Sequence, residues 1–324
     1  MLIETESKPE PNQAAEPVLQ TVDPLAQTRQ QIMQFMSGFS LETTPGAAAK
    51  ITDYRQHVEP STCVYITFLP GSDFADTLAV AARLKGEGLR PIPHFAARSI
   101  PSRSFLDAIL QRLSGDLGID QALCIAGGVD NPLGEFSDTM QLLETGLFDQ
   151  HRFRSIGVAG HPEGSPDIGD EAIRNALAWK NAFNQRSDAT LYIATQFCFE
   201  AAPIIAWDRA LRETGNQLPI HIGIPGPASV KTLINHARAC GVGPSMRFLT
   251  RQARNIAKLL TVSAPDQMVT ELAHYVATDP NNGISSVHMY PLGGLSKTAR
   301  WAYAASRGEF ELLPNQQGFE ISEN

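Results

Sequence analysis

The 324-residue chain has room for one large α/β barrel, which typically takes about 250 residues. Its net charge of −8 and the absence of any Lys/Arg run argue against nucleic acid or an acidic membrane surface as a partner. Four scattered cysteines, Cys63, Cys124, Cys198 and Cys240, form no Cys-x-x-Cys pair, which disfavours a disulfide framework or a zinc knuckle and points to a reduced cytoplasm.

The first 24 residues are rich in Glu, Gln, Pro and Ala and read as a flexible tail. They lack the basic-then-apolar order of a signal peptide, and no apolar run approaches the roughly 20 residues a membrane helix needs. Eight short apolar runs follow: 38–43, 63–68, 90–95, 122–127, 155–160, 190–195, 219–224 and 285–290. Most are nearly continuous in Val, Ile, Leu or small residues, as strands buried on both faces require. Amphipathic stretches such as 76–88, 102–114 and 170–186 lie between them and read as crossover helices. The long interval between runs seven and eight holds room for extra helices near 228–240, 245–260 and 265–278.

This alternation predicts a single-domain (β/α)8 TIM barrel over 25–308, with 309–324 as a short extension. The rival architecture, a doubly wound sheet, usually carries a Gly-x-Gly-x-x-Gly turn after its first strand, and none is present. Polar residues stand where the runs leave the core: Glu42, Thr67, His94, Asp130, His161-Pro162-Glu163, Gln196 and His288. In a closed barrel such strand ends face one pocket, so residues far apart in sequence become neighbours.

The polar segments come in a familiar order. FSLETTP, VYITF, IPHF, GGVDNPLG, GHPEGSP, IATQFCFE, GIPGP and SVHMYPL together resemble the methylenetetrahydrofolate reductases over residues 38 to about 300. The resemblance implies a flavoprotein that holds FAD at the strand ends, takes electrons from NADH or NADPH and reduces 5,10-methylenetetrahydrofolate to 5-methyltetrahydrofolate reversibly. On this resemblance Glu42 is the general acid, and Asp130 is a second catalytic residue that lies near flavin and pterin. Thr67, Phe68, His94, Gly128, Asp130, His161, Glu163, Gly164 and Lys180 are assigned to the cofactor, and Gln196, Phe197 and Lys297 to the folate.

Elementary chemistry supports the acid assignment: a desolvated carboxyl at a strand end is expected to have the raised pKa that proton donation at neutral pH needs. Against it stand blander roles, Glu42 capping the following turn and Asp130 forming one. Departures are visible too. Pro227-Ala228-Ser229-Val230-Lys231 lacks the family's aromatic residue, and Gly293-Gly294 replaces an Asn-Arg pair.

Two other functions fit parts of the pattern. A family relative with a different electron donor would account for Lys231 and the glycine pair. A metal-dependent barrel hydrolase would use His94, His161, His221 and His288, although the His-x-His common in such barrels is missing. The reading places no metal in the site, and a homo-oligomer is the default for barrels of this kind.

Overall fold

The computed structural model describes residues 23–165, 168–240, 261–314 and 317–321. Each of the eight apolar runs contains a strand: β1 Ser40–Thr43, β2 Cys63–Ile66, β3 Arg90–Ala96, β4 Gln121–Ile125, β5 Ser155–Gly160, β6 Thr190–Phe197 and β7 Ile220–Pro225. After two-residue β8 (Ala228–Ser229) and β9 (Val262–Ser263), the last barrel strand is β10, Ile284–Tyr290. The eight long strands pair in parallel and close on themselves in the order β1-β10-β7-β6-β5-β4-β3-β2, so the molecule is a TIM-type α/β barrel.

Strand side chains alternate between two environments, as a period of two demands. Leu41, Val64, Ile66, Phe95, Cys124, Val158, Ile193, Ile222 and Met289 point outward into the core shared with the helices. Tyr65, Ile92, Leu123, Tyr192 and Ala194 form a separate cluster inside the barrel. That interior is more polar than the branched aliphatic layers usual in this fold. The Tyr65 and Tyr192 hydroxyls meet at 2.6 Å, and the Tyr192 ring stacks on His221 with centroids 4.0 Å apart. Gly157 makes this possible, because a Cβ there would come within 2.7 Å of Leu123 and 2.8 Å of the Tyr192 ring. The two tyrosines therefore floor the space above them.

Helix α1, Pro24–Met36, lies where the sequence marks no element. The Asp23 carboxylate caps it, Pro24 opens it, and its Ile32, Phe35 and Met36 are buried. The chain continues with α2 Pro45–Ala48, α3 Phe74–Gly86, α4 Arg103–Gln111, α5 Thr139–Glu144, α6 Leu147–Gln150, α7 Asp170–Asn184, α8 Ala201–Glu213 and α9 Val230–Ala239. Helices α10, Asp266–Thr278, and α11, Leu295–Arg307, complete the ring. Helix α3 starts two residues before the expected stretch because the Asp73 side chain accepts from Ala75 N.

Within the expected tail, residues 1–22 lie outside the described residues, as does the helix expected at 245–260. In the terminal stretch, β11 (Glu311–Leu312) and β12 (Phe319–Glu320) form a small antiparallel pair whose Phe319 stacks on Trp301. Arg29 of α1 fastens it by donating to the carbonyls of Gly308 and Phe310 at 2.5 and 2.6 Å. At the amino-terminal face, the buried Asp208 carboxylate accepts from Tyr275 Oη at 2.7 Å and Gly283 N at 3.1 Å. Helices α8 and α10 are thereby tied to the chain entering β10. Among the described residues no helix is long and apolar enough to cross a membrane.

Candidate active site

A cavity of about 2120 Å³ opens at the carboxyl ends of the strands. A pocket for one drug-sized ligand holds roughly 300–1,000 Å³, so this one has room for two sizeable molecules at once. It is lined by Glu42, Thr67, His94, Gly128, Asp130, His161, Glu163, Gly164, Lys180, Gln196, Phe197 and Lys297, which the closed barrel gathers from strands β1, β3 and β6, from the loops after β2, β4 and β5, and from helices α7 and α11. Phe68 is the exception and corrects the expectation: its ring stacks on Phe74 at 4.5 Å in the outer core and lines no part of the cavity. The alternation along β2 explains this, since Thr67 and Phe68 point to opposite sides.

At the base of the cavity runs a chain of hydrogen bonds. Ser40 Oγ lies 2.9 Å from His288 Nδ1, and His288 Nε2 lies 2.9 Å from Glu42 Oε2. The Thr67 hydroxyl donates to Glu42 Oε1. Register produces the cluster: β1 and β10 are the closing pair, with Ser40 opposite His288, and β1 pairs β2 on its other edge. Burial by itself would raise the Glu42 pKa, but the His288 hydrogen bond, the charges of His94 and His288, and the Thr67 hydroxyl together hold it below the ordinary carboxylate value. The raised pKa expected from desolvation is therefore not present in the ligand-free molecule. Glu42 stands here as an anion, because its neighbours are donors.

His94 is 5% exposed, and neither ring nitrogen has a hydrogen-bond partner. Burial, opposed by the Glu42 charge and reinforced by that of His288, drives its pKa down to about 4. The ring is thus neutral at physiological pH and carries one donor and one acceptor into the cavity wall. An unsatisfied buried polar group costs about 1–3 kcal/mol, which a bound ligand could recover.

The opposite wall holds the loops after β4 and β5. Arg98 braces the first by donating to the carbonyls of Ser137 at 2.9 Å and Val129 at 3.3 Å, leaving Asp130 exposed at the mouth. Gly164, at φ 78°, closes a turn on His161 O. Burial and the charge of Lys180 lower the His161 pKa. Lys180, 5% exposed on α7, forms no hydrogen bond or ion pair among the described residues. Burial brings its pKa down to about 8 against the opposing pull of Cys124 and Asp138.

Gln196 Oε1 accepts from Phe197 N at 3.1 Å, so the amide oxygen is engaged by backbone while its NH₂ group has no partner among the described residues. Phe197 packs edge-on against Tyr290 and Phe199, at 5.1 and 5.6 Å. Lys231, offered as a sign of an altered donor site, does not line the cavity, whereas His236 and Cys240 from α9 and its end do.

Sequence reasoning marked His288 as a strand-end residue and gave it a role only in the hydrolase alternative, as a metal ligand, and it passed over Ser40 and Tyr290. Tyr290 lines the cavity, donates to Thr195 O at 2.9 Å and packs edge-on to His288 at 4.7 Å. Strand parity could have found all three, since Ser40 and Glu42 share a face of β1 and His288 and Tyr290 a face of β10. As for a metal site, among the described residues no three His, Cys, Asp or Glu side chains are placed to hold an ion. His288 is taken by Ser40 and Glu42, and His221 stacks beneath the cavity floor.

No protein-family model matches the chain. Among solved structures, an uncharacterized protein from Clostridium thermocellum, described as binding two copies of 5-methyl-5,6,7,8-tetrahydrofolic acid, superposes with a TM-score of 0.50 at 12% identity. The match covers 87% of this chain and 99% of that one. At that identity the likeness shows the shared barrel fold alone. A single-site variant of the actinorhodin polyketide ketoreductase, with NADPH, reaches a TM-score of only 0.23 at 16% identity, covering 68% of this chain and 92% of that one, and carries no argument.

Proposed function

We propose that this protein is an oxidoreductase of one-carbon folates, interconverting 5,10-methylenetetrahydrofolate and 5-methyltetrahydrofolate with a flavin as hydride carrier and NADH or NADPH as electron donor. The observation that carries the reading is the Ser40–His288–Glu42 chain at the base of a two-ligand cavity. A carboxylate hydrogen-bonded to an imidazole at the position that the resemblance assigns to an acid supports this reading. The 5-methyltetrahydrofolate bound by the Clostridium thermocellum protein, which has the same barrel over almost its whole length, supports the ligand class.

The residues fit a flavin dinucleotide on two counts. His94 offers a buried, unpartnered donor and acceptor near the cavity base, as an isoalloxazine edge with alternating polar atoms requires. Lys180 offers a buried, unpartnered ammonium group elsewhere in the same cavity, suited to a diphosphate. Thr67, His94, Gly128, Asp130 and the turn from His161 to Gly164 would then hold the cofactor, with Lys180 at its charged end. When bound, the flavin supplies two-electron hydride transfer, chemistry that no side chain can perform.

The protein's own task is the proton. Reducing a methylene bridge to a methyl group takes one hydride at carbon and one proton at the folate nitrogen that leaves the carbon. The hydrogen-bond chain can hold that proton in several places without stranding a buried group. With Glu42 ionised, His288 donates from Nε2, while its Nδ1 either accepts from Ser40 or, when protonated, donates to it. In the second state Ser40 turns its hydroxyl to Val287 O, 3.4 Å away. With the proton on Glu42, His288 Nε2 becomes the acceptor. Transfer from His288 across the 2.9 Å contact therefore makes Glu42 an acid despite its low resting pKa.

The Gln196 NH₂ group and the Asp130 carboxylate supply opposite hydrogen-bonding character at the wall, which suits the mixed edge of a pterin. The test is spectroscopic: the purified protein is loaded with FAD and its visible absorbance followed. Bleaching by NADH or NADPH and recovery on adding methylenetetrahydrofolate is the expected result. A preparation that takes up no FAD and transfers no hydride between nicotinamide and folate overturns the reading.

A further inference from the structure

The floor of the cavity carries more polar chemistry than a floor needs. Tyr65 and Tyr192 are 1% and 4% exposed and do not line the cavity, yet their hydroxyls meet beneath it. Tyr65 is the register partner of Glu42 on the neighbouring strand, and both side chains face the barrel interior. There the tyrosine ring touches both imidazoles whose charges bear on Glu42. Its centroid lies 4.3 Å from that of His288, tilted, and 5.9 Å from that of His94, edge-on. His94 has no hydrogen bond at either nitrogen, so packing sets the direction in which it presents them. Among the described residues, Tyr65 is the one aromatic ring it meets.

Tyr65 is itself held by its hydroxyl. The oxygen lies 2.6 Å from Tyr192 Oη and 3.5 Å from His221 Nδ1. Tyr192 has no other hydrogen-bond partner among the described residues. The order that leaves neither hydroxyl idle therefore runs from Tyr192 to Tyr65 to His221, with Nδ1 as the acceptor. Burial and the charge of His288 push the His221 pKa down to about 4, which keeps the ring neutral and able to accept. His221 in turn stacks on the Tyr192 ring at 4.0 Å. Side chains from β2, β6 and β7 thus close a brace, of which Tyr65 alone has ring contacts with His94 and His288.

Resting on the functional reading above, we infer that Tyr65, tethered by Tyr192 and His221, is a positioning residue for His288 and His94, and through His288 for the proton that Glu42 delivers. None of the three lines the cavity, so the brace acts by aiming groups that do, His94 and Glu42. Without its tether the ring is free to rotate, and both imidazoles lose support on that side. Misplacing a reacting group by about 1 Å can cost up to roughly 100-fold in rate. An imidazolium also gains from an aromatic ring at this separation, so a loosened contact favours the neutral form and the pair gives up its proton at lower pH. The other groups facing the pair are Ser40, Thr67 and Tyr290, and Cys240, whose thiol pKa burial and the Glu42 charge push up. All of them are left intact by the substitutions that follow.

The test compares the FAD-loaded full chain with its Tyr65→Phe, Tyr192→Phe and double variants; the double one removes both hydroxyls and so strands neither against the other. Folate affinity should be unchanged, while the folate half-reaction slows roughly ten-fold and its alkaline limb moves to lower pH by about half a unit. The double variant should be no slower than either single one, because the two hydroxyls act as a unit. A double variant whose folate rate and pH profile superimpose on the parent's overturns the inference, whatever its stability, and leaves the functional reading standing. The ligand-free protein gives a second readout. Ring carbon resonances of His94 and His288, assigned with His94→Gln and His288→Gln variants, should move in the double variant, and resonances that stay in place overturn the brace. Displaced resonances in a protein whose parent form shows no folate reaction uphold the brace and overturn the functional reading.

Discussion

The two ends of the barrel each bury a carboxylate, and they satisfy it with different kinds of donor. At the amino-terminal face, Asp208 is met by the Tyr275 hydroxyl, the Gly283 N–H and, at 3.7 Å, the Arg212 guanidinium. None of these groups readily gives up its proton, so the charge is fixed and serves to lock helices α8 and α10 to β10. At the carboxyl-terminal mouth, Glu42 is met by an imidazole and a hydroxyl, with a second hydroxyl behind the imidazole. The same desolvated group is thus a structural strut where its donors are inert and, on the proposed function, a proton-handling group where one of them is an imidazole. This follows the division usual in the fold, stability at the bottom and chemistry at the top.

The sharpest way to break the comparison is to neutralise each carboxylate in turn. Glu42→Gln removes the titrating oxygen but keeps the shape. We expect the folate half-reaction to fall roughly 100- to 10,000-fold while flavin reduction by the nicotinamide is retained, as read by stopped-flow absorbance. Equal loss of both half-reactions would remove Glu42 from its acid role. Asp208→Ala should do the reverse. It strands the Gly283 N–H and the Arg212 charge, so urea unfolding should show a loss of about 3–5 kcal/mol with both half-reactions intact in the fraction that remains folded.

What could be read in advance divides along the same lines. The strands were legible because parallel barrel strands are buried on both sides and leave continuous apolar runs. Glu42, His94 and Gln196 were legible because each interrupts such a run at its carboxyl end. Helix α1 was not, since its apolar residues Ile32, Phe35 and Met36 cluster in the last turns behind a polar start. Phe68 was misassigned because its motif was read as a block, when neighbouring strand residues face opposite ways. The sign of the Glu42 shift was out of reach for a different reason. It depends on β1 pairing with β10, a contact 246 residues apart that exists only once the barrel closes. Desolvation can be inferred from a strand end, but the donors that outweigh it cannot.

Lys180 sharpens the comparison from the side of cations. Its pKa in the folded chain, about 8, lies below the ordinary lysine value, so folding disfavours the charged form. The penalty is fully present below pH 8 and disappears as pH rises toward the unfolded value near 10.4. Lys180→Met should therefore stabilise the ligand-free protein by on the order of 2–3 kcal/mol at pH 7, measured by urea unfolding, while weakening FAD retention. Stabilisation would set Lys180 apart from Asp208, whose loss destabilises. A variant less stable than the parent would mean that the ammonium group is already paired in the ligand-free protein.

The smallest effect tests the outermost link of the proton store. Ser40→Ala deletes the hydroxyl that lies 2.9 Å from His288 Nδ1 and leaves that nitrogen without an acceptor when it is protonated. A net hydrogen bond of about 0.5–1.5 kcal/mol is lost from the imidazolium, and less from the neutral ring, which can present Nδ1 unprotonated. The pair then gives up its proton more readily. On the proposed function the folate half-reaction needs that proton, so its rate should decline on the alkaline side at a lower pH than in the parent, by up to about one pH unit. Flavin reduction by the nicotinamide needs no such proton, and its pH profile should stay where it is. If Ser40 merely packed β1 against β10, the substitution would move the unfolding midpoint and leave both profiles superimposable. A shift confined to the folate step would instead show that Ser40, buried behind His288, acts as a positioning residue for Glu42.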